Sequence, residues 1–207
     1  MEGNLNPELL RFVAALDFSD VDHKRKITLQ PLIDFIVDKL SLNDPVLLNF
    51  ICTHNSRRSH LSQVWAQTAA AYFGIPNVFC YSGGTEATAL FPVVAETLMQ
   101  TGFTFSKISD NANPVYAIKY SGRSHPIIGF SKVYDHSFNP EKNFAAILTC
   151  SQADENCPII SGAEKRIPVT YDDPKIYDNT EQQSEKYHER SVQIATEMFY
   201  VFSQIRK

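Results

Sequence analysis

Apolar residues recur at helical spacing twice before residue 45: Leu9, Leu10, Phe12, Val13 and Leu16 after Pro7, then Leu29, Leu32, Ile33, Ile36 and Val37 within Ile27 to Leu40. The pattern predicts an antiparallel helix pair laid onto the main body, an N-terminal helical extension over residues 1–45. Asn43-Asp44-Pro45 ends it, because proline fixes its own φ and pushes the preceding residue out of helical geometry. Val46 to Ile51 (VLLNFI) is then a short, unbroken apolar run, the pattern of a parallel strand covered on both faces. Cys52 to Ser59 is polar, and the Ala-rich stretch from Ser59 to Phe73 reads as a helix stopped by Gly74-Ile75-Pro76. Val78 to Tyr81 is a second strand, Ser82-Gly83-Gly84 a loop, and Phe91 to Gln100 a second helix with Pro92 in its first turn.

Strand, loop and helix in repeated order imply right-handed βαβ units and an α/β fold for residues 46–207. Tyr116 to Tyr120 and Ile127 to Phe130 are further strands, and Phe144 to Thr149 is another covered one that ends at a cysteine. Glu181 to Ile205 closes the domain as a long amphipathic helix carrying Val192, Ile194, Ala195, Met198, Phe199 and Phe202.

Composition narrows the functional classes. The chain has 207 residues, of which 19 are Lys or Arg and 23 Asp or Glu, so the net charge of −4 offers no broad basic face for nucleic acid. No apolar run approaches the roughly 20 residues that cross a bilayer, and the opening MEGNLNPELLRF lacks a secretory pattern, so we expect a cytoplasmic protein without a membrane partner. Four cysteines are too few to staple a chain of this length. In a reducing compartment they are either buried thiols or chemistry.

Cys52-Thr53-His54-Asn55-Ser56-Arg57-Arg58-Ser59 runs from the carboxyl end of a strand to the start of a helix, the edge of an open α/β sheet where ligands bind. Unpaired N–H groups at a helix start favour an oxyanion, and the same setting favours a cysteine thiolate as nucleophile. The planar fork of Arg58 can hold two oxygens of a tetrahedral anion, and Ser59 can donate a hydroxyl hydrogen bond to sulfur. The bland alternative is a buried cysteine followed by an exposed basic turn.

A second loop, Cys150-Ser151-Gln152-Ala153-Asp154-Glu155-Asn156-Cys157-Pro158, starts where the FAAILT strand ends and can face the first. Its two thiols could close a disulfide if the loop rearranged; metal binding competes, but no matched Cys or His spacing supports it. Two inert core thiols would fit poorly in so polar a loop. Tyr171-Asp172-Asp173-Pro174 follows, and a partly desolvated carboxyl beside an anion and a thiolate suits proton donation to a leaving oxygen.

On these residues the chain resembles the low-molecular-weight tyrosine phosphatase fold family, whose signature is Cys, five residues, then Arg-Ser between first strand and first helix. Within it, Cys150-Ser151 and Asn156-Cys157-Pro158 resemble the redox loop of thioredoxin-coupled arsenate reductases, and Ser82-Gly83-Gly84 resembles the Ser-Ala-Gly segment of the family. The resemblance covers about residues 46 to 205. It implies a central four-stranded parallel sheet between helix layers, and an arsenate or phosphate-type oxyanion as substrate, without cofactor or metal. It further implies that Cys52 attacks arsenic, Cys150 attacks the Cys52 adduct and releases arsenite, Cys157 resolves the Cys52–Cys150 disulfide, and thioredoxin reduces the Cys150–Cys157 pair. Asp173 matches the general acid, Cys52 through Arg58 the anion cradle. Aryl phosphate hydrolysis would need only Cys52, Arg58 and Asp173; a non-catalytic oxyanion-binding or redox-sensing module is the third reading.

Three features depart from the family. His54 replaces a glycine, so the loop has to accommodate a side chain there. Arg57 stands where related loops carry cysteine; it either tightens anion binding or points into solvent, and we expect solvent. Leu61-Ser62-Gln63 replaces an Ala-Glu pair, which removes the carboxylate of any monovalent-cation site. Asn55 is expected to brace the loop through its amide. Cys80 and Trp65 read as core, and His60, His125, His136 and His188 as surface or satisfied groups. Tyr116, Tyr120 and Tyr134 are candidates for lining the pocket.

Overall fold

The computed structural model describes residues 5–151, 153 and 159–205. The run VLLNFIC forms β1 (Val46–Cys52), the centre of a parallel sheet with β2 (Val78–Gly84) on one side and β6 (Phe144–Leu148), then β7 (Ala163–Pro168), on the other. Every residue of β6 is buried, as expected for a strand covered on both faces. The covering helices are α2 (His23–Ser41), α3 (Arg58–Tyr72), α4 (Pro92–Gln100) and α5 (Gln183–Ser203), with α1 (Pro7–Ala14) before them. This is the four-stranded α/β sandwich expected from the sequence.

Two features were not legible in the pattern. β7 reads AEKRIP, and its Glu164, Lys165 and Arg166 mask it as a loop; it is tolerated because it lies at the sheet edge, where Lys39 of α2 pairs with Glu164 at 2.6 Å. Tyr116–Lys119 (β4) and Ile127–Gly129 (β5) are strands as predicted, but they join Thr104–Lys107 (β3) in a separate antiparallel sheet.

The opposite edge, β2, is closed by side chains. Gln67 Nε2 donates to the Val78 carbonyl and Gln67 Oε1 accepts from Cys80 N, while Gln63 Nε2 donates to the Cys80 carbonyl, each at 3.0 Å. Two amides of α3 thus satisfy backbone groups that would otherwise invite another strand.

Helices α1 and α2 share the main core: Leu9, Val13, Leu29, Leu32, Ile33 and Ile36 are buried in the same cluster as Val46, Leu48 and Phe199. Trp65 sits at 0% exposure, stacked on Phe12 of α1 at 5.3 Å and edge-on to Phe103 at 5.0 Å, with its indole N–H donating to Ser191 Oγ at 2.9 Å. A chain beginning near Asn43 is therefore expected to aggregate or unfold, because it bares Trp65 and the α2 face of the sheet. Circular dichroism and size-exclusion of that truncation check the expectation; a folded, monomeric product would make residues 1–45 dispensable.

The strand ends at Cys52 and Cys150 lie on one edge of the sheet. Cys52 is level with Gly84 across the β1–β2 register, and Ile51 is level with Leu148 across β1–β6, two residues before Cys150.

Candidate active site

The loop from Cys52 to Arg58 closes around side chains that fix its shape. Asn55 is the residue with left-handed backbone, at φ 45°, a conformation that asparagine tolerates. His54, the expected departure at a glycine position, does not take a positive φ, so its side chain costs the loop no such strain. That side chain is 41% exposed, 3.5 Å from Glu86, and its carbonyl accepts from Ser131 Oγ at 2.9 Å. Asn55 braces the loop as expected: Oδ1 accepts from Lys132 N at 2.9 Å and Nδ2 donates to Ser59 Oγ at 2.9 Å. A Cβ on Gly84 would meet Asn55 N and Thr53 O at 2.7 Å, so glycine allows the next strand end to close against the loop.

Cys52 is 4% exposed, with its sulfur 3.1 Å from Ser59 Oγ. Because Asn55 donates into Ser59 Oγ, the hydroxyl hydrogen is free to point at that sulfur, where it would stabilise a thiolate. Thr53 Oγ1 lies 3.5 Å from Cys150 Sγ, which also accepts from Ala153 N at 3.4 Å. Cys52, Cys80 and Cys150 are free thiols; Cys157 lies outside the described residues. Burial pushes the Cys80 thiol pKa up, in keeping with a core role.

Arg58 opens α3 and is 8% exposed. Its Nη1 donates to the Tyr171 carbonyl at 2.9 Å and its Nη2 to Asp173 Oδ2 at 2.5 Å, while Nε is buried with no hydrogen-bond partner. Asp173 also accepts from Lys175 N at 3.0 Å and so caps a 3₁₀ turn, Pro174–Tyr177. Asp172 is exposed, 3.4 Å from Arg190.

Thr53, His54, Arg58, Cys150, Tyr171 and Asp173 line one cavity of about 880 Å³, with Lys175, Ile176 and Tyr177 farther along its wall. Tyr116, Tyr120 and Tyr134 do not line it. Ser56 is 7% exposed, its carbonyl accepting from Phe91 N at 3.0 Å.

Arg57 corrects the sequence reading. Its guanidinium does not point into solvent: Nη2 meets Asp178 Oδ2 at 2.6 Å, Nε donates to the Tyr187 hydroxyl at 2.5 Å, and the group stacks over Phe91 at 4.1 Å. Three partners outside the loop hold it away from the anion cradle. His60, read as a surface or satisfied group, is fully buried, 3.3 Å from Ser82 Oγ, and burial together with Lys132 holds its pKa down to about 3.

Sequence reasoning missed Tyr171, Asp178 and Tyr187. Tyr171 adjoins the Asp-Asp-Pro motif, and its hydroxyl donates to the buried Glu197 at 2.8 Å, which Arg25 of α2 grips from the other side at 2.6 Å. Burial opposes the charge on Arg25, but Glu197 outweighs it and raises the pKa. Helix α2 thereby steadies the residue whose carbonyl receives Arg58.

The same arrangement of elements occurs in known proteins. A low-molecular-weight protein tyrosine phosphatase from T. tengcongensis superposes with a TM-score of 0.52 over 77% of this chain and 99% of its own, at 12% identity. A low-molecular-weight phosphotyrosine phosphatase from Vibrio cholerae O395 gives 0.51 over 76% and 95%, at 13% identity. An arsenate reductase from Staphylococcus epidermidis is 27% identical over 131 residues, 63% of this chain and 80% of its own length. This chain has the low-molecular-weight phosphatase fold. Relatives in Staphylococcus aureus, also arsenate reductases, are 27% identical over 125 residues, 60% of this chain and 76% of theirs. No family model matches the chain. Among the described residues, no helix is long and apolar enough to cross a membrane.

Proposed function

We propose that the protein is an arsenate reductase working through a thiol relay. The observation that carries this reading is the second thiol on the anion loop: Cys150 lies against Thr53, the neighbour of Cys52, and lines the same cavity as Arg58 and Asp173. Phosphoester hydrolysis does not require it. Arsenate would sit on the loop N–H groups with Arg58 turned to two of its oxygens, filling the empty hydrogen-bonding capacity of Nε. The Cys52 thiolate, stabilised by Ser59, attacks arsenic, and Asp173 gives a proton to the hydroxyl that leaves as water. Cys150 then attacks the Cys52 sulfur. The arsenic–sulfur pair of electrons stays on arsenic, which leaves as arsenite, and a Cys52–Cys150 disulfide remains. As in the reductases the chain resembles, Cys157 would take over Cys150, free Cys52, and leave a Cys150–Cys157 disulfide for the thioredoxin dithiol to reduce. A reducing compartment such as the cytoplasm would keep the thiols ready.

The cavity supports a second reading. At about 880 Å³, with Ile176 and Tyr177 on its wall, it exceeds the needs of a bare tetrahedral anion and could admit an aryl phosphate ester.

Wild type and the Cys52→Ser, Cys150→Ser and Cys157→Ser variants separate these readings. They are assayed for arsenate-dependent NADPH oxidation with thioredoxin and its reductase, and for aryl phosphate hydrolysis. Loss of Cys52 is expected to abolish both activities. Loss of Cys150 or Cys157 should abolish only arsenate turnover. Arsenate turnover surviving either of those two changes sinks the relay; hydrolysis without arsenate turnover selects the phosphatase.

A further inference from the structure

The consecutive arginines of the anion loop point to opposite ends of one short segment. Arg58 reaches Asp173, which caps the start of the Pro174–Tyr177 turn, and Arg57 reaches Asp178, which follows its end. The Arg57 contact is a closed triangle: Arg57 Nη2 to Asp178 Oδ2 at 2.6 Å, Arg57 Nε to the Tyr187 oxygen at 2.5 Å, and the Tyr187 hydroxyl to Asp178 Oδ1 at 2.5 Å. The Arg57 and Asp178 side chains are only 11% and 16% exposed, and Phe91 covers the guanidinium face, so solvent screens this pair weakly.

The two grips are not equivalent once an anion binds. Arg58 has one fork, and the carboxylate of Asp173 already occupies part of it. A tetrahedral dianion competes for those N–H groups and repels the Asp173 charge as it arrives. With Arg58 as the sole anchor, the segment would lift away at the moment its carboxyl is needed. We propose that Arg57, Asp178 and Tyr187 form a tether that keeps the Asp173 segment on the anion loop while Arg58 turns to the oxyanion, which makes Arg57 a positioning residue for Asp173. This rests on the oxyanion reading of the site.

Amide hydrogen exchange on the full chain, with and without saturating inorganic phosphate, tests the tether, with phosphate affinity measured in parallel by calorimetry. In wild type, the Lys175, Asp178 and Thr180 amides, which bond to Asp173, Lys175 and Tyr177, are expected to stay protected when phosphate binds. Asp178→Asn should bind phosphate with affinity close to wild type, yet exchange these amides about tenfold faster or more in the phosphate complex, and little faster without it. Tyr187→Phe, which keeps the ion pair and removes one hydroxyl, should show a smaller shift of the same kind, and serves if Asp178→Asn does not fold. Acceleration that is equal with and without phosphate would mean a merely structural contact and overturns the tether. So does unchanged protection in the phosphate-bound variants. Failure of wild type to bind phosphate would instead sink the oxyanion reading itself, and the tether with it.

Discussion

Arg58→Lys is expected to fold and to lose about 10²- to 10³-fold in turnover, whichever oxyanion substrate is used. The loss follows from how the guanidinium is spread. Nη1 is committed to the Tyr171 carbonyl, Nη2 to Asp173, and Nε is buried without a partner. An unpaired buried donor costs roughly 1 to 3 kcal/mol, a cost that an arriving anion would remove, which supports the anion-binding role proposed for this side chain. A lysine ammonium is a single point on a flexible stem. It can meet the Tyr171 carbonyl or an anion oxygen, but it cannot keep the first as an anchor and present a two-pronged fork to the second. The defect should fall on kcat more than on KM, since the fork matters most as charge shifts between oxygens during attack. Steady-state kinetics check this, with phosphate inhibition as a measure of ground-state binding. A lysine variant within threefold of wild type would mean that the loop N–H groups alone carry the anion, and the role given to Arg58 would fail.

The parts of this site that the sequence disclosed are those whose chemistry and position are both local. Cys52, Asn55, Arg58 and Ser59 could be read together because a covered apolar strand precedes them and an Ala-rich helix follows, so the order of residues already fixed the edge they occupy. Asp173 and Cys150 were legible through motif resemblance and a strand end. What escaped was decided by distant partners. Arg57 looks like a solvated charge until Asp178 and Tyr187, 121 and 130 residues away, are known to converge on it. His60 sits on the first turn of a helix and carries no sign of the burial that keeps it neutral. β7 was hidden because an edge strand can carry Glu164, Lys165 and Arg166 without cost when one face meets solvent and a helix supplies Lys39. The helices before Asn43 were legible as helices, yet nothing in their periodicity announces that Arg25 reaches Glu197 and, through Tyr171, the carbonyl that anchors Arg58.

Lys132→Met is expected to stabilise the protein at pH 7, by about 2 to 4 kcal/mol, or roughly 5 to 10 °C in Tm. Lys132 is 2% exposed, and its ammonium finds one carbonyl, Phe130 O at 3.3 Å, and the rings of Phe130 and Phe138 at 4.4 and 5.4 Å. Burial pulls its pKa down from the usual lysine value to about 7. The unfolded chain therefore binds a proton that the folded chain releases between pH 7 and about 10.5, and stability contributed by this group rises with pH across that window. At pH 7 and below the full cost of burying the charge is felt. Methionine matches the stem and removes the charge. It leaves the backbone in place, where Lys132 N meets Asn55 Oδ1 and Lys132 O accepts from Gly84 N at 2.9 Å, so the anion loop keeps its brace. His60 also gains, because burial and then the Lys132 charge hold its pKa near 3 and make the folded state lose stability as pH falls from about 6.5. Urea melts of both chains at pH 5, 7 and 9.5 should show an advantage for methionine that shrinks toward the highest pH. A variant less stable than wild type at pH 7 would mean that the two aromatic faces and the Phe130 carbonyl compensate the buried charge in full.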